Sequence, residues 1–221
     1  MSKDEARQEV RAGDRRHPRL WLSPDRLILA SASASRRRLL AAVGLTFDVE
    51  AARVDERGLE AAFIKQGGSP ADLAARLASA KAVEVSERHA DALCLGADQT
   101  LLLDGAILHK PVDLEAAAAQ LRRLEGRKHS LVSAFCFARG GVSLFVGSDS
   151  AALTMRRLDE DAIRLYLTLA GRSAVASVGA YQIEGLGAQL FAKIEGDHAT
   201  IQGLPILGVL AWLRAEGRLA L

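Results

Sequence analysis

The stretch LCLGADQTLLLDGAILHKP, residues 93–111, decides the fold of this chain. Its apolar opening predicts a buried strand over Ala92–Ala97, ending in a carboxylate, Asp98. Thr100–Leu103 and Ala106–Leu108 then read as the arms of a hairpin about an Asp104-Gly105 turn. Lys110 returns beside Asp98 across that hairpin, and Pro111 fixes the backbone after it. A carboxylate at the end of a buried strand faces a crevice, the place where open α/β sheets bind ligands.

Upstream, LILASASASRRRLL at 27–40 is a short buried strand, Leu27–Ala30, that breaks into a hydroxyl-rich turn. A helix follows from about Ser35 to Val43, closed by Gly44. Loop hydroxyls, N–H groups at a helix start and cationic side chains together make an anion site. Ser31 and Ser33 are its hydrogen-bond donors, and Arg36 pairs with oxyanions in a fork geometry. The same segment also reads as a serine-capped helix with a solvated arginine face. A carboxylate facing an anion site repels the anion unless it holds a metal or activates a water. Phosphate-ester hydrolysis supplies that reason.

Outward from these stretches, Phe47–Ala51 is a second predicted strand. Ser69-Pro70 starts a helix running to about Val85, in which Lys81 by itself reads as a surface residue. Asp113 caps an alanine-rich helix ending near Gly126. Two long strands, Ser130–Arg139 and Val142–Met155, meet at Gly140-Gly141. Asp159–Ala170 is helical, and a last amphipathic helix begins after Pro205. Residues 175–203 are glycine-rich, with strand-like pieces at Tyr181–Ile183 and Leu190–Ile194, and read as close backbone approach around a ligand. Alternating strands and helices predict a mixed α/β fold with a twisted central sheet, and the hairpins argue against a purely parallel one.

With 221 residues, 49% hydrophobic and 25% charged, the chain has the composition of a globular protein able to bury one good core or two lobes around a cleft. A net charge of +2 and 5% aromatic content argue against nucleic-acid binding, including a single-stranded RNA module. No run spans a membrane and no secretory h-region occurs, so a cytoplasmic protein is expected. Residues 1–26 mix both charge signs with few apolar side chains and read as a flexible extension. Cys94 and Cys136 sit in apolar runs and read as small buried hydrophobes. Neither a Gly-x4-Gly-Lys-Ser/Thr loop nor a dinucleotide fingerprint is present. Asp55-Glu56 offers carboxylates to a metal, while His198 reads as structural.

In order along the chain, LASASASRRRLL, Val54-Asp55-Glu56, LASAKA at 77–82, GADQTLLLDGAILHKP and SVGAYQIEGLGAQLFAKIEGDHATIQGLP resemble the motifs of the Maf family of nucleotide pyrophosphatases. The resemblance covers residues 27 to 217 and makes 27–221 the expected catalytic domain. It implies two lobes around a deep cleft, in the Maf and ITPase manner, and a cytoplasmic hydrolase. Such an enzyme cleaves nucleoside triphosphates to the monophosphate and pyrophosphate with Mg²⁺ or Mn²⁺, and a homodimer is among its implications. By position, Asp98 matches the general base, and Ser31, Ser33 and Arg36 the phosphate loop. Glu56, Lys81 and Lys110 match further polar residues of the cleft. Lys81 and Lys110 are thus expected to act with Asp98 in catalysis, and Glu56 and Asp98 to hold the metal, with Glu184 as the alternative ligand. Ser35, Gln99 and Glu184 match the positions tied to base selectivity. The dTTP/UTP group carries arginine, threonine and glutamine there. Gln99 and Glu184 resemble instead the group acting on 7-methyl-GTP, although Ser35 replaces its tryptophan. The resemblance also carries a rival reading, a nucleotide-binding regulator of cell division without significant catalysis.

Overall fold

The computed structural model describes residues 20–221. The extension expected over residues 1–26 lies outside the described residues as far as residue 19. From Leu20 onward it is docked rather than loose, because Leu20 and Trp21 pack their apolar side chains against the core. Trp21 bridges Leu219 in antiparallel fashion. Leu22 N donates to Arg218 O at 2.9 Å, and Ala220 N donates to Leu20 O at 3.0 Å. Asp25 accepts from Arg218 at 2.7 Å and Arg139 at 3.2 Å.

Leu93–Leu103 forms one unbroken strand, β3 in a count that starts with β1 at Leu27–Ala30 and β2 at Asp48–Val49. The break expected after Ala97 is absent. An antiparallel partner, β5 (Lys128–Arg139), pairs with β3 from Cys94 to Leu102 and keeps its backbone in the ladder. The other edge of β3 is shared. β1 pairs parallel with Leu93–Gly96, and β4 (Ala106–Leu108) pairs antiparallel with Leu101–Leu103. Between them residues 97–100, including Asp98 and Gln99, face a gap where no strand lies alongside. The crevice expected at a strand end therefore opens in the middle of one.

The hairpin partner of β5 is β6 (Val142–Met155), and β7 (Phe191–Glu195) pairs with its far end. The seven-stranded sheet runs β2-β1-β3-β5-β6-β7, with β4 beside β3. Its β2 end is parallel and the remainder antiparallel, the mixed sheet anticipated from the hairpins. Two large apolar clusters lie on either side of the crevice. One gathers Leu101, Leu121, Leu131, Leu153 and Tyr166, and the other Leu29, Leu40, Leu95, Phe137 and Trp212. They are the cores of two lobes that share β3.

Helix α1 (Ala34–Ala42) follows β1, α2 (Glu56–Lys65) follows β2, and α3 (Leu73–Arg88) leads into β3. α3 lies unusually close to the sheet. Its Ala74, Ala78 and Ala82, four residues apart and fully buried, form a stripe with no bulk, and Gly96 of β3 lies beneath it. α4 (Leu114–Leu124) and α5 (Glu160–Ala170) are capped by Asp113 and Asp159, whose carboxylates accept from Ala116 N and Ala162 N at 2.7 and 2.8 Å. The four-residue α6 (His198–Ile201) and the C-terminal α7 (Ile206–Ala215) complete the chain.

Two local expectations change. Phe47–Ala51 shrinks to Asp48–Val49, which pair with Ile28 and Leu29, with one more bond from Glu50 N to Leu29 O at 3.1 Å. Tyr181–Ile183 is not a strand: tight helical turns at Val178–Ala180 and Leu186–Leu190 flank it, and the Tyr181 ring turns inward to stack edge-on against Phe191. Within the glycine-rich stretch 175–203, Gly187 lies against the Gln182 backbone, Gly196 against Ala151 and Gly203 against the Arg36 guanidinium. Cys94 and Cys136 are buried and unbonded, as expected. No helix among the described residues is long and apolar enough to cross a membrane.

Candidate active site

The gap beside Asp98 widens into a cleft of about 560 Å³. Ser31, Ser33, Ser35, Arg36, Glu56, Lys81, Asp98, Gln99 and Lys110 all line it, and Glu184 joins them through Ser35. Every site residue expected from the sequence therefore converges on one place, although they come from five separate segments.

The serine turn caps the helix that follows it, while the Arg36 side chain is drawn inward rather than solvated. β1 ends at Ala30, and Ser33 Oγ caps α1 by accepting from Arg36 N at 3.4 Å. Ser31 Oγ accepts from Ser33 N at 3.2 Å and from Arg36 Nη1 at 3.3 Å. The first-turn amides of Ala34 and Ser35 are left without an intrahelical acceptor, which makes this helix start a receptor for negative charge. Arg36 Nε donates to Gly203 O at 2.8 Å, so the guanidinium is pinned from two sides. Burial lowers the Arg36 pKa, while the charges of Asp98 and Glu56 oppose that shift.

Lys81 is not the surface residue its lone position in the helix indicated. It is 8% exposed, because α3 turns this face onto β3. Its Nζ lies 2.6 Å from Asp98 Oδ1 and 2.7 Å from Glu56 Oε1, bridging the two carboxylates. Glu56 reaches it from the first turn of α2, which Asp55 caps by accepting from Gly58 N at 3.0 Å. Lys110 follows β4 on the opposite wall. Its pKa is lowered by desolvation first and by the charge of Arg36 next, with Asp98 and Glu56 acting the other way.

A divalent cation between Glu56 and Asp98 meets Lys81 already there. No group of three or more His, Cys, Asp or Glu side chains that could hold a metal ion occurs among the described residues. Each carboxylate keeps one oxygen that is not bonded to Lys81. Two such oxygens fit a Mg²⁺-type ion that takes its other ligands from phosphates and water, rather than a cage built by the protein alone.

Gln99 points the other way from Asp98 along the strand. Its Nε2 donates to Ser133 Oγ at 2.9 Å, Thr200 O at 3.1 Å and Ile201 O at 2.9 Å. These acceptors fix the amide and leave its Oε1 as the free atom. Glu184 Oε1 accepts from Ser35 Oγ at 3.1 Å and from Arg38 Nη2 at 2.9 Å, and among the described residues its Oε2 has no hydrogen-bond partner.

Arg38, Glu60, His109, Gln182 and Gln202 also line the cleft and are not among the site residues expected from the sequence. Glu60 lies four residues after Glu56 on one helical face, and its carboxylate sits 3.2 Å from His109 Nε2. That spacing was the available clue. His198 is exposed at the start of α6 and does not line the cleft.

The Maf-like protein family matches residues 26–216. A Rhodopseudomonas palustris protein named nucleoside triphosphate pyrophosphatase is 50% identical over 202 residues, covering 91% of this chain and 98% of its own. A Mesorhizobium japonicum protein named 7-methyl-GTP pyrophosphatase is 51% identical over 193 residues, covering 87% and 97%. A Brucella abortus protein with the same name is 48% identical over 191 residues, covering 86% and 96%.

Proposed function

The chain belongs to the Maf-like protein family, and from that premise we propose that it hydrolyses nucleoside triphosphates to the monophosphate and pyrophosphate in the cytoplasm. The observation that carries this reading is the Asp98–Lys81 pair, set in the unpaired gap of β3 and facing the Ser31–Arg36 turn across one cleft.

The triphosphate lies with its oxygens toward the Ala34 and Ser35 amides and the Arg36 guanidinium. Lys81 holds Asp98 Oδ1, so Oδ2 is the oxygen aimed at a water beside the α-phosphorus. Asp98 takes a proton from that water as its oxygen attacks, and the bond to the bridging oxygen breaks. Arg36 and Lys110 stabilise the charge that grows on the departing pyrophosphate, the main contribution a protein makes to such a transfer. A divalent ion held by the Glu56 oxygen not bonded to Lys81, together with phosphate oxygens, would neutralise phosphate charge and leave Asp98 Oδ2 for the water.

The base end of the cleft offers acceptors, Gln99 Oε1 and Glu184 Oε2. A guanine edge presents N1–H and N2–H donors and suits them, whereas thymine and uracil bring one ring N–H between two carbonyls. This supports a guanine-type substrate, canonical or 7-methylated, and a house-cleaning role in the nucleotide pool.

The experiment is pyrophosphate release by purified protein from GTP, 7-methyl-GTP, dTTP and UTP, each with Mg²⁺ and with Mn²⁺. Asp98→Asn lowers kcat by about a hundredfold or more, with a smaller effect on nucleotide affinity. Near-normal kcat in that variant removes Asp98 from the reaction. Nucleotide binding without turnover in the unaltered protein leaves the rival reading, a regulator without significant catalysis.

A further inference from the structure

Glu184 is the carboxylate best placed to meet a base, yet its charge is already answered from within the chain. Arg38 Nη2 lies 2.9 Å from Oε1, and the same nitrogen donates to Ser35 Oγ at 3.3 Å. Ser35 Oγ in turn donates to the same carboxylate oxygen at 3.1 Å. Oε1 therefore receives two donors and has no capacity left for a ligand. The three side chains close a triangle at the cleft, with Arg38 the most solvated at 60% exposed and Glu184 at 27%. Such a triangle alters what Glu184 can recognise. A lone carboxylate attracts a cationic base such as 7-methylguanine over neutral guanine, while a carboxylate paired with a guanidinium loses most of that preference and keeps its hydrogen-bond acceptor.

We propose that Arg38 determines base selectivity in this site by cancelling the Glu184 charge, so that the enzyme accepts GTP and 7-methyl-GTP with little discrimination between them. The inference rests on the reading that Glu184 meets the base. Arg38 belongs to the helix that receives the triphosphate, so one helix grips phosphate with its first turn and sets base preference with its second.

The test is the ratio of kcat/KM for 7-methyl-GTP to that for GTP, measured in one competition assay at a pH where the methylated base keeps its N1 proton. Arg38→Gln raises the ratio about fivefold or more, the effect of exposing one unit charge about 4 Å away across water. Arg38→Lys retains the cation and holds the ratio near that of the unaltered protein. Adding Glu184→Gln to Arg38→Gln cancels the gain. An unchanged ratio in Arg38→Gln overturns the inference, as does an equal loss on both nucleotides, which would assign Arg38 to phosphate. If Glu184→Gln alone shifts the preference among GTP, 7-methyl-GTP, dTTP and UTP while Arg38→Gln does not, only the role of Arg38 fails. If Glu184→Gln shifts none of them, the base-contact reading fails with it.

Discussion

Replacing Gly96 with alanine adds one methyl group and should disable the site without touching any residue in it. A Cβ at this position lies 2.3 Å from Ala78 O, 2.6 Å from Ala82 N and 2.9 Å from Ala82 Cβ. The closest ordinary carbon–oxygen approach is about 3.3 Å, so α3 must retreat by about 1 Å. Two of the three clashing atoms are helix backbone, which cannot swing aside. Overpacking of this kind costs about 1–3 kcal/mol of stability. Lys81 rides on the same turn of the helix, immediately before Ala82. A retreat along the contact stretches the Lys81–Asp98 bond from 2.6 Å to about 3.6 Å, beyond hydrogen-bond range. Misplacement of about 1 Å in a catalytic array lowers turnover by up to about a hundredfold. The assay pairs steady-state pyrophosphate release with urea denaturation of the same samples. Ala82→Gly in the Gly96→Ala background should not rescue either readout, because it removes only the mildest of the three contacts. A Gly96→Ala protein with unaltered kcat and unaltered denaturation midpoint would refute the argument that this close packing aligns Lys81.

Two pH effects follow from groups whose charged form is disfavoured by their surroundings. His129 is 2% exposed, its Nε2 lies 2.8 Å from the Tyr181 hydroxyl, and its Nδ1 has no partner among the described residues. Burial pushes its pKa down to about 4 from 6.5. Between these values the unfolded chain holds a proton that the folded chain refuses, so stability falls as pH drops through this window, by up to about 3 kcal/mol. Urea midpoints measured from pH 7 to pH 4 should show this slope, and His129→Gln should flatten it; an identical slope in the variant counts against the assignment. Lys110, its ammonium destabilised by desolvation and by Arg36, should lose its proton below the ordinary lysine range and weaken nucleotide capture on the alkaline side. Lys110→Arg should move that alkaline limb of kcat/KM to higher pH, and a limb that stays in place excludes Lys110 as its origin.

Elements that depend on neighbours in the chain were legible in advance. The cap at Asp113, the helix starting about Asp159, the Asp104-Gly105 turn and the β5–β6 hairpin all follow from short-range chemistry. The continuity of β3 was not, because only the distant β5 shows that Asp98 lies inside a ladder. Helix α2 was not read from the sequence: its apolar stripe, Leu59, Ala62 and Phe63, spans barely one turn, and none of its residues is buried. Lys81 was readable in principle. Ala74, Leu77, Ala78 and Val85 stand seven, four and three residues before it and four after, all buried, which places Lys81 on the inward face. The charge-cancelling role of Arg38 joins residues 146 positions apart, and no local pattern carries such a distance.

The pairing of Leu20–Leu22 with Arg218–Ala220 has a consequence for the order in which this polypeptide can be written. The two ends of the described residues lie side by side, so in a protein trimmed to residues 20–221 a short peptide could splice them together. New ends opened at the exposed Asp104-Gly105 bend would then yield a circularly permuted enzyme with its phosphate turn intact. Ends opened between Ser31 and Ser35 would cut that turn itself. Connectivity is thus interchangeable at one loop of this architecture and indispensable at the other.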